Sequence, residues 1–386
     1  MKRLAWFLVL LMLAVPAWAA KKTTVQELKE MLLSFQEAKK GDEYVASQLK
    51  QIELSEELTQ SAKAELGHSL PGSLSSEQLD ILEGRSAILA PPAADLPAMP
   101  APDVAGQKAI LSRAVDFVLK RYMQNPHLSA SKTTSRFQDG VENIRTNSGM
   151  TSNMPNTGHA WDLPYMFMRL LGTHTAPVES EKGIELAPAV KQKAPWSQNG
   201  QIAEGGPGPI LSVILQDAAA GGKLGWLRWE TVNGRQTAVF AFSVDKEKSH
   251  YQVDYCCFPV TSDTGRFGYE GVEPNMQTVT DWKPFKTVAG YRGEFFIDPA
   301  TGAIVRVVTQ AAFKPTDFVH QEDMRIDYGP VTVGDKVYTL PLDSFTITEV
   351  VPNGDNYAAR YSVRHTLFTA SYANYQLAGP TAAAQK

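Results

Sequence analysis

The pair Asn233-Gly234 constrains the fold more than any other feature, because it stands between two runs of aromatic and β-branched residues. A two-residue loop of this kind is the strongest short-range signal for a β-hairpin. The pair therefore predicts antiparallel strands over Trp226–Val232 and Gln236–Val244. A third apolar run, His250–Phe258, follows a charged connection and predicts another strand of the same sheet.

A short helix is predicted immediately before this hairpin. Pro209 suits a first helical position, since its missing N–H would have no intrahelical partner there. Ile210, Ile214 and Ala218 recur at a spacing of four and would share one face. The two glycines at 221–222 can end the helix, because glycine adopts the left-handed cap without steric penalty.

Further strands are predicted on both sides of this core, and turn residues link most of them as hairpins. They are Lys132–Gln138, Tyr291–Ile297, Ala303–Gln310, Arg325–Tyr328, Val331–Val333, Lys336–Pro341, Ser344–Val351 and Tyr357–Phe368. The total is about nine or ten strands, without the strand–helix alternation of a parallel sheet. The segment between Phe258 and Thr287 is predicted to be a polar, turn-rich connection. The sequence thus predicts an α+β fold with a large curved antiparallel β-sheet, half-barrel-like and packed on the helix Val104–Tyr122.

A small helical module is predicted over residues 20–90, before the sheet. Apolar residues recur at helical spacing in four segments, which begin at Thr24, Asp42, Ser55 and Ser75. Asp42 and Ser55 are candidate N-caps, and Ser75 with Gln78 fits a capping box. The module either packs on the main domain or forms a protruding arm that binds a partner through its apolar stripe, Thr24–Leu66.

The remaining boundaries follow from composition. Residues 91–103 contain five prolines and are predicted to form a semi-rigid linker. The antiparallel β domain would then span 104–378, interrupted by a long irregular insertion over 140–208. Low order is expected around Thr146–Gly158 and Val178–Gly205, and residues 379–386 are predicted to be a disordered tail.

The first 19 residues have the pattern of a secretory signal peptide. Lys2 and Arg3 precede the apolar run Leu4–Val15, and the small residues Ala17 and Ala19 frame a cleavage site. The protein is therefore expected to be exported, periplasmic or secreted, with no transmembrane segment after cleavage. No cysteine stands directly after the cleavage site, which argues against lipoprotein anchoring. The net charge of −4 and the pI near 6.0 argue against nucleic acid as a partner.

The only two cysteines, Cys256 and Cys257, are adjacent. Neighbouring residues of a strand point to opposite faces, so a bond between the two would distort the backbone. The sequence leaves open two free thiols, a vicinal disulfide and an intermolecular bridge. The pair alone is not a zinc site, because zinc ligands are typically spaced two to four residues apart and need further partners.

Three motifs in order along the chain carry a resemblance to a known family. They are G-P-I-L…W-E…A-V-F-x-F-x-V…K-S-H-Y-x-V-x-Y-C-C, G-Y-R-G-E-F-F-I-D-P-A-T-G-A-I-V-R and D-Y-G-P-V-T-V-G-D-K-V-Y. This pattern resembles a family of secreted acidobacterial proteins of unknown function, which implies no particular activity. The architecture is also similar, by analogy alone, to periplasmic lipoprotein-carrier and RseB-like half-barrels.

Large apolar residues on both faces of the central strands indicate a candidate ligand site. A curved sheet would use one such row to line a cavity and the other to pack against a helix. The candidate ligand-binding residues are Trp226, Trp229, Phe240, Phe242, Tyr251 and Tyr255. The favoured function is a non-enzymatic envelope protein that binds or carries a hydrophobic ligand, a lipid or lipoprotein acyl chain. The competing interpretation of these aromatic residues is the core of a closed sandwich.

Two other functions remain open at this stage. One is a structural or interaction protein that docks an envelope partner through its N-terminal helices. The other is a secreted hydrolase, for which His159 with Asp162, His250 with Asp254, and Glu230 are candidates. In a regular strand Trp226, Arg228 and Glu230 would share one face, so a cross-strand salt bridge is the simpler account for Glu230. No motif for a metal or a cofactor occurs, so neither is predicted.

Overall fold

The computed structural model describes residues 21–139, 167–186, 211–262, 278–350 and 364–378. Only the backbone is described for 21, 254–262, 278–284 and 364. The described chain is an α+β protein built on one ten-stranded antiparallel sheet, as the sequence predicts. The sheet is curved and open. The signal-peptide segment, the tail and the region Thr146–Gly158 lie outside the described residues.

Six α-helices occur in the described ranges, and amphipathic spacing accounts for most of them. In chain order they are α1 (Val25–Glu37), α2 (Asp42–Leu49), α3 (Gln60–Gly67), α4 (Ser73–Ser86), α5 (Val104–Lys120) and α6 (Leu211–Gly221). A short 3₁₀ helix, Tyr122–Gln124, follows α5 directly.

The strands of the large sheet are long and mostly joined as hairpins. They are β3 (Leu128–Gln138), β4 (Arg169–Glu181), β5 (Ile184–Glu185), β6 (Lys223–Val232), β7 (Arg235–Val244), β10 (Gly290–Ile297), β11 (Ile304–Ala312), β12 (Val319–Val333), β13 (Lys336–Val350) and β14 (Arg364–Leu377). Two smaller sheets are formed by β1 (Lys21–Thr23) with β2 (Ile52–Leu54), and by β8 (Gln252–Ser262) with β9 (Thr278–Val288).

The order of strands across the large sheet is β5-β4-β3-β14-β13-β12-β11-β10-β7-β6. The central hairpin prediction is confirmed, since β6 pairs with β7 around Asn233-Gly234. Asn233 has φ 49° and Gly234 has φ 73°, the left-handed pair that a type I′ turn requires. The last strand, β14, pairs with β3, which is the first strand of the large sheet in chain order. The beginning and the end of the β domain are therefore neighbours inside the sheet.

One predicted strand belongs to a different sheet, and two segments predicted as irregular connections contain strands. The run from His250 forms β8, which pairs with β9 in a separate sheet and not with the central hairpin. The predicted polar connection from Phe258 to Thr287 contains β9. The predicted irregular insertion 140–208, including the start of Val178–Gly205, contains β4 and β5 over residues 169–185.

Three predicted helix caps also differ from the structure. The third helix is capped by Thr59, whose hydroxyl accepts from the backbone of Ala62, and not by Ser55. Helix α4 begins at Ser73, so Ser75 lies inside it and is buried. Asp42 is the first residue of its own helix, and its carboxylate instead accepts the Leu74 and Ser75 amides at the start of α4.

Helices α5 and α6 cover one face of the sheet, here called the α5/α6 face. Ile110 and Phe117 of α5 and Ile214 of α6 share a buried cluster with Phe240 and Phe295 of the sheet. The prediction that the helix starting at Val104 lies against the sheet is therefore confirmed.

The N-terminal helices form their own core and cover the opposite face, here called the module face. Leu28, Leu32, Val45, Leu49 and Leu58 are each at most 1 % exposed within this core. The apolar stripe predicted over Thr24–Leu66 is thus turned inward. The protruding-arm interpretation requires this stripe to be exposed.

Helix α4 packs directly on the sheet with apolar side chains. Ile81 packs against Phe137 of β3 and Leu367 of β14. Gly84 allows this approach, because a Cβ at that position would lie 2.4 Å from the Leu367 side chain.

A buried ionic network joins the loop before α3 to the module face. Arg325 Nη1 donates to Glu57 Oε1 at 2.7 Å, and Arg325 Nη2 donates to Asp327 Oδ2 at 2.7 Å. Arg306 donates to the same two carboxylates. Burial opposes ionisation of Asp327, but the guanidinium groups of Arg325 and Arg306 outweigh it and lower its pKa. The network is a charged contact that only the folded arrangement of both layers can form.

Candidate functional site

The predicted aromatic ligand residues lie inside the core of the α5/α6 face. Phe240, Phe242 and Tyr251 are nearly fully buried there, and Trp226 and Trp229 pack against their cluster. The side chain of the sixth predicted residue, Tyr255, lies outside the described part of the chain. The structure therefore brings five of the six residues together, packed against one another and against helices.

A β-bulge determines which way the two tryptophans face. The register of β6 on β7 shifts between Trp226 and Arg228, so Leu227 has no partner and both tryptophans reach the same face. Their ring centroids are 4.9 Å apart. The expectation that Trp226, Arg228 and Glu230 share a face was wrong for this reason. Trp229 also donates its indole N–H to the Pro100 carbonyl, which fixes the proline-rich linker along the sheet.

The enclosed space on the α5/α6 face lies further along the sheet, beside the 3₁₀ helix and the start of α6. It is a cavity of about 60 Å³. Its walls include four tyrosines, Tyr122, Tyr328, Tyr372 and Tyr375. Aliphatic residues fill the gaps between the rings, among them Ala130, Val178, Ile184, Leu211, Ile326 and Leu340.

Hydrogen bonds hold the tyrosine hydroxyls at the cavity wall. Tyr122 donates to the Gly183 carbonyl at 3.2 Å, Tyr375 donates to the Pro341 carbonyl at 2.7 Å, and Tyr372 donates to Glu185 at 3.2 Å. Burial raises the pKa of Tyr122 to about 12, so it is neutral at physiological pH. With their polar ends engaged, the tyrosines present mainly ring surface to the cavity.

The sequence did not single out these four tyrosines. They come from the 3₁₀ helix, β12 and β14, and Tyr122 and Tyr375 are 253 positions apart in the sequence. Only the order of the strands in the sheet brings them together. Tyr372 and Tyr375 are three positions apart, so in a regular strand they would point to opposite faces of the sheet. A register shift in β14 lies between them and places both at the same cavity. Aromatic content along β14 was the one available signal.

The candidate acid–base residues take other partners than expected. His250 Nδ1 contacts Asp217 Oδ1 at 2.6 Å, and Asp217 also accepts from the His250 amide and from the Tyr291 hydroxyl. The predicted partner Asp254 has no described side chain, and His159 and Asp162 lie outside the described residues. In the described chain no serine or cysteine hydrogen-bonds His250. The pair therefore joins α6 to the segment before β8, and the Tyr291 hydroxyl ties Asp217 to β10 of the large sheet.

Glu230 does form a close salt bridge, but with Arg228 of its own strand, so the predicted cross-strand partner is wrong for this contact. It is buried and accepts from Arg228 Nε at 2.8 Å, and Arg228 also binds Glu294 of β10, which lies on the far side of β7. Burial raises the pKa of Glu230, while the charge of Arg228 opposes this rise. Glu230 thus belongs to the charged surface beneath the N-terminal module.

Two further searches concern the described residues alone. They contain no group of three or more His, Cys, Asp or Glu side chains placed to hold a metal ion. None of their helices combines the length and apolar character needed to cross a membrane.

Comparison of the chain with protein-family models, curated proteins and solved structures found no match. The resemblance to secreted acidobacterial proteins and to half-barrel carriers therefore stays a sequence-based prediction. The function has to be argued from the geometry of this chain.

Proposed function

We propose that the protein is an exported, non-enzymatic binding protein that takes up the apolar part of a lipid or lipoprotein acyl chain. In this proposal the large sheet acts as a half-barrel, and α5 and α6 close its ligand-bearing face. The observation that carries the proposal is the tyrosine-walled cavity on that face. The signal-peptide pattern of residues 1–19 supports export.

The composition of the cavity favours an apolar ligand. Ala130, Leu211, Ile326 and Leu340 are buried around it and offer no hydrogen bonds from their side chains. Removing an apolar group from water into such a site is favourable in proportion to the area buried, about 25 cal/mol per Å². A charged or strongly polar group would lose its hydration without finding partners on these side chains.

The size of the cavity limits what it can hold without rearrangement. Ligand pockets for drug-sized molecules are roughly 300–1,000 Å³, whereas this one is about 60 Å³. The space therefore accepts the end of a chain. A longer chain requires α6 to move, because Leu211 at the start of α6 forms part of the wall. Helix α6 would then act as the cover of the site.

A cavity-filling variant tests this proposal. Ala130→Leu adds three carbon atoms at the wall, where they take the space of the acyl-chain end. Forcing both into one space costs about 1–3 kcal/mol, so we expect binding of the fluorescent fatty acid cis-parinaric acid to weaken by about tenfold. Fluorescence titration of the purified protein gives the dissociation constant.

The matched control is Ala373→Leu, the same change at an exposed position of β14. It should bind the probe as the unmodified protein does. Equal binding by Ala130→Leu, or no binding by the unmodified protein, would refute the assignment of this cavity. Thermal unfolding of each variant shows whether the fold is retained.

A further inference from the structure

A second and larger space lies on the module face, where the N-terminal helices do not reach the sheet. It is a groove of about 580 Å³ between α3 and α4 on one side and strands β3, β13 and β14 on the other. This volume falls within the range of roughly 300–1,000 Å³ typical of small-molecule sites. The groove is separated from the tyrosine-walled cavity by the full thickness of the sheet.

The sheet wall of the groove is rich in hydroxyl groups. The hydroxyls of Thr133, Ser135, Thr369 and Ser371 lie along it. A hydroxyl both donates and accepts hydrogen bonds, so this wall can satisfy polar groups on a ligand. Apolar side chains such as Phe345 complete the floor beside them.

Carboxylates dominate the charge of the groove. Lys63 of α3 pairs with both Asp80 and Glu83 of α4, at 2.6 Å in each case. Asp343 of β13 is a third carboxylate in the lining. The one lysine in the lining therefore faces three acids, and the groove disfavours anions such as phosphate.

Asp343 differs from the other two acids because it has no hydrogen bond or ion pair within the described part of the chain. A β-bulge at Leu342 precedes it, since Asp327 pairs with Asp343 and Tyr328 pairs with Pro341. Bulges of this kind redirect side chains and are frequent next to functional sites. The half-buried carboxylate of Asp343 thus lines the groove without a partner of its own.

Its surroundings make this carboxylate receptive to a cation. Burial raises the pKa of Asp343, and the negative charge of Asp327 on the paired strand raises it further, while the charges of Arg325 and Lys63 offset this rise only in part. A positively charged group bound beside Asp343 would relieve both effects. A carboxylate with free lone pairs accepts well from an ammonium group, and charge-assisted bonds are about twice as strong as neutral ones.

We propose that this groove binds a ligand bearing an alkylammonium group, which pairs with Asp343 while the strand hydroxyls bind the polar atoms next to it. The group belongs either to a free polyamine or to a lysine side chain of a peptide. The site is independent of the apolar cavity, so either can fail without the other.

Isothermal titration calorimetry with the full chain tests the proposal. The probes are spermidine, the peptide Gly-Lys-Gly and, as a neutral polyhydroxylated ligand, maltotriose. We expect at least one ammonium probe to bind, and Asp343→Asn to weaken it by about tenfold, as loss of a hydrogen bond to a charged group does. Preference for spermidine or for the peptide distinguishes the two sources.

Two variants complete the design. Asp335→Asn removes an exposed carboxylate in the β12–β13 turn and should leave binding unchanged. Ala64→Trp, at an exposed position of α3 in the lining, should block the groove without touching Asp343. Binding of maltotriose alone, no binding of either ammonium probe, or equal binding by Asp343→Asn would overturn the proposal.

Discussion

Replacing Arg325 with leucine is expected to lower the free energy of unfolding by about 3–5 kcal/mol, the range found when one partner of a buried ion pair is removed. Arg325 is 1 % exposed and binds Glu57 from the N-terminal module and Asp327 within its own strand. Without Arg325, the carboxylates of Glu57 and Asp327 stay buried, and of the two arginines described in this network only Arg306 still pairs with both. Urea denaturation followed by circular dichroism measures the change.

The control for this variant is Arg292→Leu, which removes an exposed arginine from the same sheet. Surface changes of this kind are usually within about 0.5 kcal/mol. If Arg325→Leu were as mild as Arg292→Leu, the network would not hold the module to the sheet.

The effect of Arg325→Leu should also depend on pH with a defined sign. Because the folded-state pKa of Asp327 lies below its ordinary value of 3.8, its contribution is present above pH 3.8 and is lost as the pH falls through the folded pKa. The difference between Arg325→Leu and the unmodified protein should therefore shrink below pH 3.8. A difference that grew in acid would contradict the lowered pKa.

Gly302→Ala is expected to be the second strongly destabilising change, by about 3 kcal/mol. Gly302 has φ +76° in the turn between β10 and β11, where an L-residue pays about 1–2 kcal/mol. A Cβ there would also lie 2.3 Å from the Arg113 carbonyl oxygen of α5, and crowding in a packed site costs a further 1–3 kcal/mol, roughly. The added methyl group would push α5 away from the sheet. Thermal unfolding measures the resulting loss of stability.

Gly334→Ala separates the two causes. Gly334 also has a left-handed backbone, with φ +61°, but no atom lies within 4 Å of a Cβ built there. Only the backbone term remains, so we expect a loss of about 1–2 kcal/mol. Equal losses at the two glycines would mean that the contact with α5 contributes nothing.

Local signals predicted those parts of the fold that depend on neighbouring residues. The turn at Asn233-Gly234 was correct, because the left-handed conformation is set by the two residues themselves. The helices starting near Val25 and Val104 were correct as well, since their apolar spacing is visible in the sequence.

Strand β4 escaped prediction for a physical reason. It pairs only with β3 and the two-residue β5 near the sheet edge, so it needs few apolar residues. Hydroxyl pairs such as Thr133 with Thr175, at 2.9 Å, contribute to its pairing with β3. A polar strand of this type has the composition of a loop.

The candidate sites depend on contacts between distant parts of the chain, which single-sequence patterns do not show. The bulge at Leu227 turned Trp226 toward Trp229. Glu57 meets Arg325 across 268 positions. Five of the aromatic residues chosen from the sequence as a ligand site pack in the core of the α5/α6 face, whereas the cavity lies beside four other residues, the tyrosines.

Native mass spectrometry of the protein purified from an envelope fraction tests the central claim most directly. The account predicts a one-to-one adduct with the mass of a lipid or acylated molecule on the unmodified protein, and loss of that adduct in Ala130→Leu but not in Ala373→Leu. An unmodified protein that shows only its own mass, under conditions in which a known lipid carrier keeps its ligand, would contradict it.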